Sequence, residues 1–304
     1  MIEKNTFLIA TPILNGSEFI EDCIASVRGA FKNYKYIHII VDGGSTDNTK
    51  EIINNMNNDS ILFYEMPGST MYQALNKALD LGEADYFYQL NADDFVLPET
   101  ADIVLEQFQN DNDLDVVTGL CISVNVETNY CKILAPTKDH FRLDKIGVNL
   151  YVSQPSSFVR YDTIKGIGGY SEKYKGSSDT ELWLRLIKNA SKFQGVNKCL
   201  SIDRVHSGCR RMTPEDIKEV KDIRMNYFVS TIHPLLKLRN YFLYLIVLLT
   251  TAIRINKVLQ SGIESYGSQI KKVWGVFAST KKAGLRINYF SIKGSYGFEG
   301  RFFK

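Results

Sequence analysis

The chain has 304 residues, 44% hydrophobic and 23% charged, with a net charge of +2, which is folded globular material and excludes intrinsic disorder as the default. Charge is unevenly placed: residues 233–304 hold 12 Lys/Arg against Glu264 and Glu299, a surplus of +10 that leaves −8 on everything before them. An acidic body argues against a nucleic-acid binder, and a basic tail points to an anionic partner. In chain order, Phe7 to Thr11 is an apolar run of strand length, and Glu18 to Phe31 carries Phe19, Ile20, Cys23, Ile24 and Val27 at helical spacing. Tyr36 to Val41 is a second strand, followed by a Gly-Gly turn and a helix with Ile52, Ile53 and Met56 inward. Ile61 to Tyr64 is a third strand, Met71 to Leu81 a helix, and Tyr86 to Leu90 a fourth strand. Strands alternating with helices imply βαβ units and a largely parallel sheet.

The stretch from Asp85 to Pro98 organises the rest. Its aromatic run, Tyr86 to Leu90, has the character of an interior strand, and it ends abruptly in Asp93 and Asp94, with Pro98 and Glu99 suited to the first turn of a helix. Ligands of open α/β sheets collect beyond the carboxyl ends of the strands, so acidic residues placed there are suited to a cation with phosphate. A solvated Asp-Asp turn is the plain alternative. Asp42 ends the second strand just before Gly43, where a carboxylate either accepts a bond from a nucleobase or ribose or merely shapes an Asx-turn. Thr11-Pro-Ile-Leu-Asn15 closes the first strand in the same manner, so three polar strand ends define one crevice.

Five segments stand in a fixed order: Thr11-Pro-x-x-Asn15, Val41-Asp-Gly-Gly-Ser-Thr-Asp-x-Thr49, Asn76-Lys-Ala-Leu79, Leu90-Asn-Ala-Asp-Asp94 and Ser178-Asp-Thr-Glu-Leu-Trp-Leu-Arg185. This series resembles the ordered motifs of family 2 glycosyltransferases over roughly residues 5–210. The resemblance implies a GT-A type fold, a Rossmann-like, mostly parallel mixed sheet flanked by helices. It also implies a nucleotide-diphosphate sugar donor, a divalent cation (Mg2+ or Mn2+) and inverting transfer. It places Thr11, Pro12, Asn15, Asp42 and Asn76 at the nucleotide, Asp94 on the metal with Asp93 beside it on the nucleotide side, and Asp179 as catalytic base. The chain departs from the pattern at Asn91, where many members have the first aspartate of D-x-D, at Gln73, where an acidic residue is common, and at Ser178, where a glutamate often precedes the base.

The chemistry asks for this division of labour. A nucleoside diphosphate leaves as a polyanion, and an acceptor hydroxyl near neutral pH needs a base, worth about 10²–10⁴-fold. Asp179 lies in a polar turn opening a helix over Thr180 to Asn189, where the helix dipole favours the ionised form; a simple N-cap is the alternative. Gln154-Pro-Ser-Ser-Phe-Val-Arg160 resembles the family strand that approaches the acceptor, and Ile167-Gly-Gly-Tyr170 reads as a turn needing positive φ. Trp183 either stacks on an acceptor sugar or belongs to the core. His206 is a candidate second metal ligand, against the commoner structural histidine, and Arg210 and Arg211 are candidate partners of the diphosphate. A sugar nucleotidyltransferase would open with a basic triphosphate loop, and Ala10 to Gly16 has no basic residue. A nucleotide-sugar binder without chemistry would more easily have lost Asp94 or Asp179. The donor sugar and acceptor depend on pocket shape within residues 120–175, where patterns are weakest.

Cys23, Cys121, Cys131, Cys199 and Cys209 are scattered without a C-x-x-C pair, which argues against zinc, a redox motif or a disulfide framework and fits a reducing cytoplasm. Phe7 to Ala10 is too short, with Glu3 ahead of it, for a signal peptide. Between Arg239 and Arg254 lie 14 uncharged residues. At ~1.5 Å each they reach about 21 Å against a hydrocarbon core of about 30 Å. With flanking Lys/Arg and interleaved aromatics, this segment is expected to hold the chain peripherally on an anionic membrane, near a saccharide or lipid-linked acceptor. A buried helix or subunit contact is the other reading. The expected organisation is a catalytic domain over 1–212, split near 115 into nucleotide and acceptor halves, and a basic helical region over 213–304.

Overall fold

The computed structural model describes residues 6–56, 59–128, 130–134, 152–209, 213–230, 291–293 and 299–301. The first strand β1 (Thr6–Ile13) is followed by α1 (Ile20–Ala30), β2 (Lys35–Asp42), α2 (Thr49–Asn55), β3 (Ile61–Glu65), α3 (Met71–Leu81) and β4 (Tyr86–Gln89). Then come the short β5 (Phe95–Val96), α4 (Thr100–Asn110), β6 (Val116–Asn125), β7 (Tyr130–Leu134), a 3-10 turn (Gln154–Ser156), β8 (Ser157–Arg160) and α5 (Tyr161–Gly166). The series continues with α6 (Ser178–Lys188), β9 (Phe193–Val205) and α7 (Pro214–Ser230), and a separate antiparallel pair joins β10 (Ser291–Lys293) to β11 (Glu299–Arg301).

Nine strands form one mixed sheet in the order β3-β2-β1-β4-β8-β6-β9-β5, with β7 on β6. The stretch β3-β2-β1-β4 is wholly parallel, and β8 enters antiparallel between β4 and β6. The chain adds β2 and β3 on one side of β1 and then returns to the other side for β4. A crevice therefore opens between the carboxyl ends of β1 and β4, the position where such sheets bind ligands.

Alternating side chains of β1 serve two layers. Phe7 and Ile9 pack with α1 and α4, whereas Leu8 and Ala10 pack with α3, α6 and α7. All four are fully buried, which is why β1 reads as an unbroken apolar run instead of an alternating one. Each large side chain of this kind contributes about 1.5–3 kcal/mol by leaving water. Tyr88 stacks on Phe158 of β8 with ring centroids 4.1 Å apart, tying the parallel half to the antiparallel one.

Two local features have clear physical causes. The α3 helix begins with a capping box: Gln73 N–H donates to Thr70 Oγ1 at 3.3 Å and Thr70 N–H to Gln73 Oε1 at 2.9 Å, a bond that glutamine makes as well as an acid would. The turn foreseen at Ile167–Tyr170 has φ +84° at Gly168 and +66° at Gly169, and a Cβ on Gly169 would sit 2.6 Å from Asn76 Oδ1.

The expected division at residue 212 does not separate α7 from the catalytic body. Ile223 is fully buried in the core cluster that contains Leu182, Trp183 and Leu186 of α6. Among the described residues no helix is long and apolar enough to cross a membrane, and the uncharged run between Arg239 and Arg254 lies outside them.

Candidate active site

The rim formed by β1 and β2 is a pair of interlocked loops. Asp42 is 2% exposed at the end of β2, and its Oδ1 accepts from Gly44 N–H (3.2 Å), Ser45 N–H (2.9 Å) and the Ser45 hydroxyl (2.6 Å). It thus forms the Asx-turn that the sequence allowed. Asn15, with φ +53°, closes the β1 side: its N–H donates to Ser45 Oγ and its Oδ1 accepts from Thr46 N–H, each at 2.8 Å. Asp47 secures the same seam by accepting from Ser17 N–H and from the Thr49 amide and hydroxyl. Partial desolvation raises the Asp47 pKa, but these hydrogen bonds outweigh it and hold the carboxyl at about 2. Thr11 faces inward, its hydroxyl 2.8 Å from Nε2 of His38, whose burial keeps the imidazole neutral with a pKa near 3. Pro12 lies in β1 opposite Val41.

Beyond β4 the two aspartates part company. Asp94 N–H bonds to the Asn91 carbonyl at 3.0 Å, and its side chain is buried, with Oδ1 accepting from Arg204 N–H of β9 at 3.1 Å. It is 2% exposed, and burial, then the charges of Asp93 and Asp203, raise its pKa well above the carboxylate range. Asp93 points the other way. Its Oδ2 lies 3.2 Å from His206 Nε2 and 3.7 Å from Cys209 Sγ. The sequence expectation joined His206 to Asp94; the fold sets it against Asp93, because adjacent residues in this tight turn face opposite sides.

Arg204, two residues ahead of His206, builds the floor. It is 4% exposed, with its guanidinium 4.0 Å from the Phe95 ring centre and 4.7 Å from that of Phe19. Its Nε donates to the Asp93 carbonyl and its Nη1 reaches Asp22 Oδ2 at 3.2 Å. Phe19 also packs on His206, ring centres 4.4 Å apart. Neither Arg204 nor Cys209 stood out as a site residue in the sequence; the available signal was their nearness to His206, Arg204 at the end of β9 and Cys209 in the Gly-containing turn that follows.

The opposite rim is the start of α6. Asp179 sits in the first turn, not at the N-cap, which is Ser177. Its Oδ1 accepts from Thr180 N–H at 2.6 Å and lies 3.5 Å from the Tyr72 hydroxyl. The residue as a whole is half-buried but its carboxyl is sheltered, and this desolvation raises its pKa despite the local hydrogen bonds and the expected help of the helix dipole. The turn before it is held from α7: Glu219 accepts from Lys175 N–H and Gly176 N–H, each at 3.1 Å. Glu219 carried no sequence motif, since its role depends wholly on where α7 docks.

Between the rims runs a polar ladder. Tyr170 donates to Gln89 Oε1 (2.7 Å), Gln89 Nε2 to Asn91 Oδ1 (3.1 Å), Asn91 Nδ2 to Gln154 Oε1 (3.4 Å), and Gln154 Nε2 back to the Gln89 carbonyl (2.8 Å). Asn91, the departure from D-x-D, belongs to this ladder, where its amide both donates and accepts as a carboxylate could not. Asn76 brackets Tyr170, accepting from its N–H at 2.8 Å and donating to its carbonyl at 2.9 Å, so it holds the Gly169–Tyr170 turn. Trp183 corrects one expectation: it is 5% exposed within the core cluster, and its ring is not presented to an acceptor. The apolar positions of α6 face the sheet, and Trp183 shares that face. Arg210 and Arg211 lie outside the described residues.

Comparisons with known proteins bear on the family and the fold. Residues 8–160 match the model of "Glycosyl transferase family 2", half of the chain. Chondroitin synthase of Pasteurella multocida is 26% identical over 231 residues, covering 73% of this chain but 22% of that protein. Poly-beta-1,6-N-acetyl-D-glucosamine synthase of Staphylococcus aureus is 37% identical over 120 residues, 39% of this chain and 28% of that protein. The chain thus matches only about a quarter of the length of these relatives. The crystal structure of S. aureus TarS 1–349 in complex with UDP-GlcNAc superposes with a TM-score of 0.60 at 15% identity, covering 98% of this chain and 99% of that one, a likeness of GT-A fold. The chain belongs to glycosyl transferase family 2.

Proposed function

We propose that the protein is an inverting transferase that moves a sugar from a uridine diphosphate sugar to a hydroxyl of a growing polysaccharide or glycan. TarS binds UDP and UDP-GlcNAc in its crystal structures, and the relatives named above are polysaccharide synthases, which supports donor and acceptor class. Asp42 takes part through Oδ2, since Oδ1 is committed to the Asx-turn, and Thr11 and Asn15 shape the floor on which the nucleoside rests. Asp93 and His206 are the side chains suited to hold a divalent cation, Mg2+ or Mn2+, which when bound neutralises charge on the departing diphosphate. Asp179 receives the acceptor proton at its carboxylate. Burial makes that carboxylate a stronger base than an exposed one, and Tyr72 orients it. The acceptor enters past Gln154. A lipid-linked acceptor at an anionic membrane, met through the basic tail, is part of the same reading.

The observation that carries the proposal is the desolvated Asp179 carboxyl, 3.5 Å from the Tyr72 hydroxyl, in a chain that also sets His206 3.2 Å from Asp93. The test is donor turnover by the full chain with UDP-GlcNAc and Mn2+ or Mg2+. Release of UDP that increases with a saccharide acceptor is the expected result. Pyrophosphate from UTP and a sugar phosphate would instead mark a nucleotidyltransferase, and binding of donor without any release would mark a binder.

A further inference from the structure

The turn after β9 brings a third donor atom to the Asp93–His206 pair. One ligand atom each from Asp93, His206 and Cys209 lies within 4.8 Å of the others, and all three residues are half-buried. Tetrahedral zinc with bonds of about 2.0–2.3 Å separates its ligand atoms by about 3.3–3.8 Å. The Oδ2–Nε2 distance of 3.2 Å and the Oδ2–Sγ distance of 3.7 Å already sit close to that range. The turn is closed by Cys209 N–H to the His206 carbonyl at 3.1 Å, and the Phe19 ring fixes the imidazole plane. Two adjustments are required: as a thiolate Cys209 gives up the bond its thiol donates to the Arg204 carbonyl at 3.3 Å, and the imidazole changes tautomer. His206 Nδ1 accepts from Gly208 N–H at 3.2 Å, and ligation through Nε2 moves the ring proton to Nδ1, so that bond is given up.

The donor set also discriminates. Mg2+ and Mn2+ favour octahedral oxygen shells, whereas a thiolate and an imidazole favour zinc, which in addition outranks Mn2+ in the usual affinity order. Among the cysteines whose side chains are described, Cys23, Cys121 and Cys199 are buried and Cys209 is half-buried. The sequence spacing argued against zinc because no second cysteine flanks the first; the fold supplies the carboxylate and imidazole instead.

We propose that Asp93, His206 and Cys209 form a three-ligand site for a thiophilic divalent ion, zinc above all, with Cys209 binding as thiolate. Its occupation excludes the Mg2+ or Mn2+ that serves transfer, so zinc inhibits the enzyme. This inference rests on the reading of Asp93 and His206 as the cation site of the transferase.

The test uses the full chain and Co2+ as a spectroscopic stand-in. Wild-type protein should bind one Co2+ with a near-ultraviolet thiolate-to-cobalt charge-transfer band, which added Zn2+ removes. Cys209→Ser should lack the band. Binding of Mn2+ by Cys209→Ser, followed by electron paramagnetic resonance, verifies that the variant is folded at the site. Under Mn2+-supported turnover, Zn2+ should inhibit wild type at concentrations at least about tenfold lower than Cys209→Ser. Absence of the band in wild type, or its survival in Cys209→Ser, overturns the inference even if Mn2+ still supports transfer. A Cys209-dependent band in a protein whose donor turnover ignores Mn2+ upholds the thiolate site and refutes its part in transfer.

Discussion

The two rims of the crevice are held by different kinds of contact. On the β1–β2 side, Asn15, Asp42, Asp47 and Thr49 bond to backbone and hydroxyl groups of two neighbouring loops, with partners no more than 33 positions apart. On the α6 side, Asp179 and the turn before it depend on Tyr72, 107 positions away, and on Glu219, 43 positions beyond Gly176. The first rim is assembled by the chain as it passes from strand to strand. The second exists only once α3, α6 and α7 have packed together. On the proposed function, the first rim serves fixed recognition of the nucleotide and the second sets the proposed base, Asp179, against the acceptor.

The largest test of that contrast is Asp179→Asn. Transfer should fall by ~10²-fold or more while donor affinity, measured by titration calorimetry, stays within about threefold. Wild type should lose activity toward acid with a limb above the ordinary carboxylate value, because burial raises the Asp179 pKa and the protonated group is no base. Stability runs the opposite way with pH. The folded state holds this proton more tightly than the unfolded chain, so the carboxyl destabilises the fold as pH rises past 3.8, and Asp179→Asn should gain melting temperature at pH 7 relative to pH 4.

Next in size is the pair Asp93→Ala and Asp94→Asn. The first should reduce turnover by ~10²-fold and weaken Mn2+-dependent donor binding, since it removes the carboxylate beside His206. The second keeps the shape under Arg204 and relieves a buried like-charge contact, so it should retain activity within about tenfold and melt no lower. Equal losses in the two would return the cation to Asp94.

A smaller effect is expected at Glu219. Replacing it by Gln keeps one acceptor oxygen for Lys175 and Gly176 but loses the charge, and Glu219→Ala loses both bonds, about 1–3 kcal/mol. The turnover number should drop roughly tenfold in Glu219→Ala with KM for donor unchanged, and Gln should recover most of it. A change in donor affinity instead would break the division between the rims.

The smallest belongs to the nucleotide rim. Asp47→Asn should lower stability by about 1 kcal/mol or less at pH 7, the side chain being solvent-exposed. Its folded pKa of about 2 lies below the unfolded 3.8, so the contribution is present above 3.8 and disappears as pH falls toward 2. Chemical denaturation of wild type and variant at pH 7 and pH 2.5 should show the gap closing.

The legible parts of the molecule are those whose cause is local. The strand expected at Phe7–Thr11 extends over Thr6–Ile13, the helix expected at Met71–Leu81 has those bounds, and both glycines of Ile167–Tyr170 have positive φ. In each case the period of apolar residues or the absence of a Cβ is enough. The dimensions of β6, β7 and β9 were not legible, because these strands pair across distant parts of the chain. The same limit applied to the aspartate pair, since nothing in Asn91-Ala-Asp-Asp94 states which carboxylate a tight turn will bury.

By itself the sequence determined the βαβ order, the three polar strand ends and the carboxylate of Asp179 at a helix start, since these follow from periodicity, turn residues and motifs read within a few positions. The tertiary structure alone decided that His206 and Cys209 meet Asp93 and not Asp94, that Trp183 is core, and that α7 reaches back to hold the turn before Asp179. Those facts depend on which faces of β9, α6 and α7 are buried against the sheet, and burial is a property of the packed chain and not of any one stretch of it.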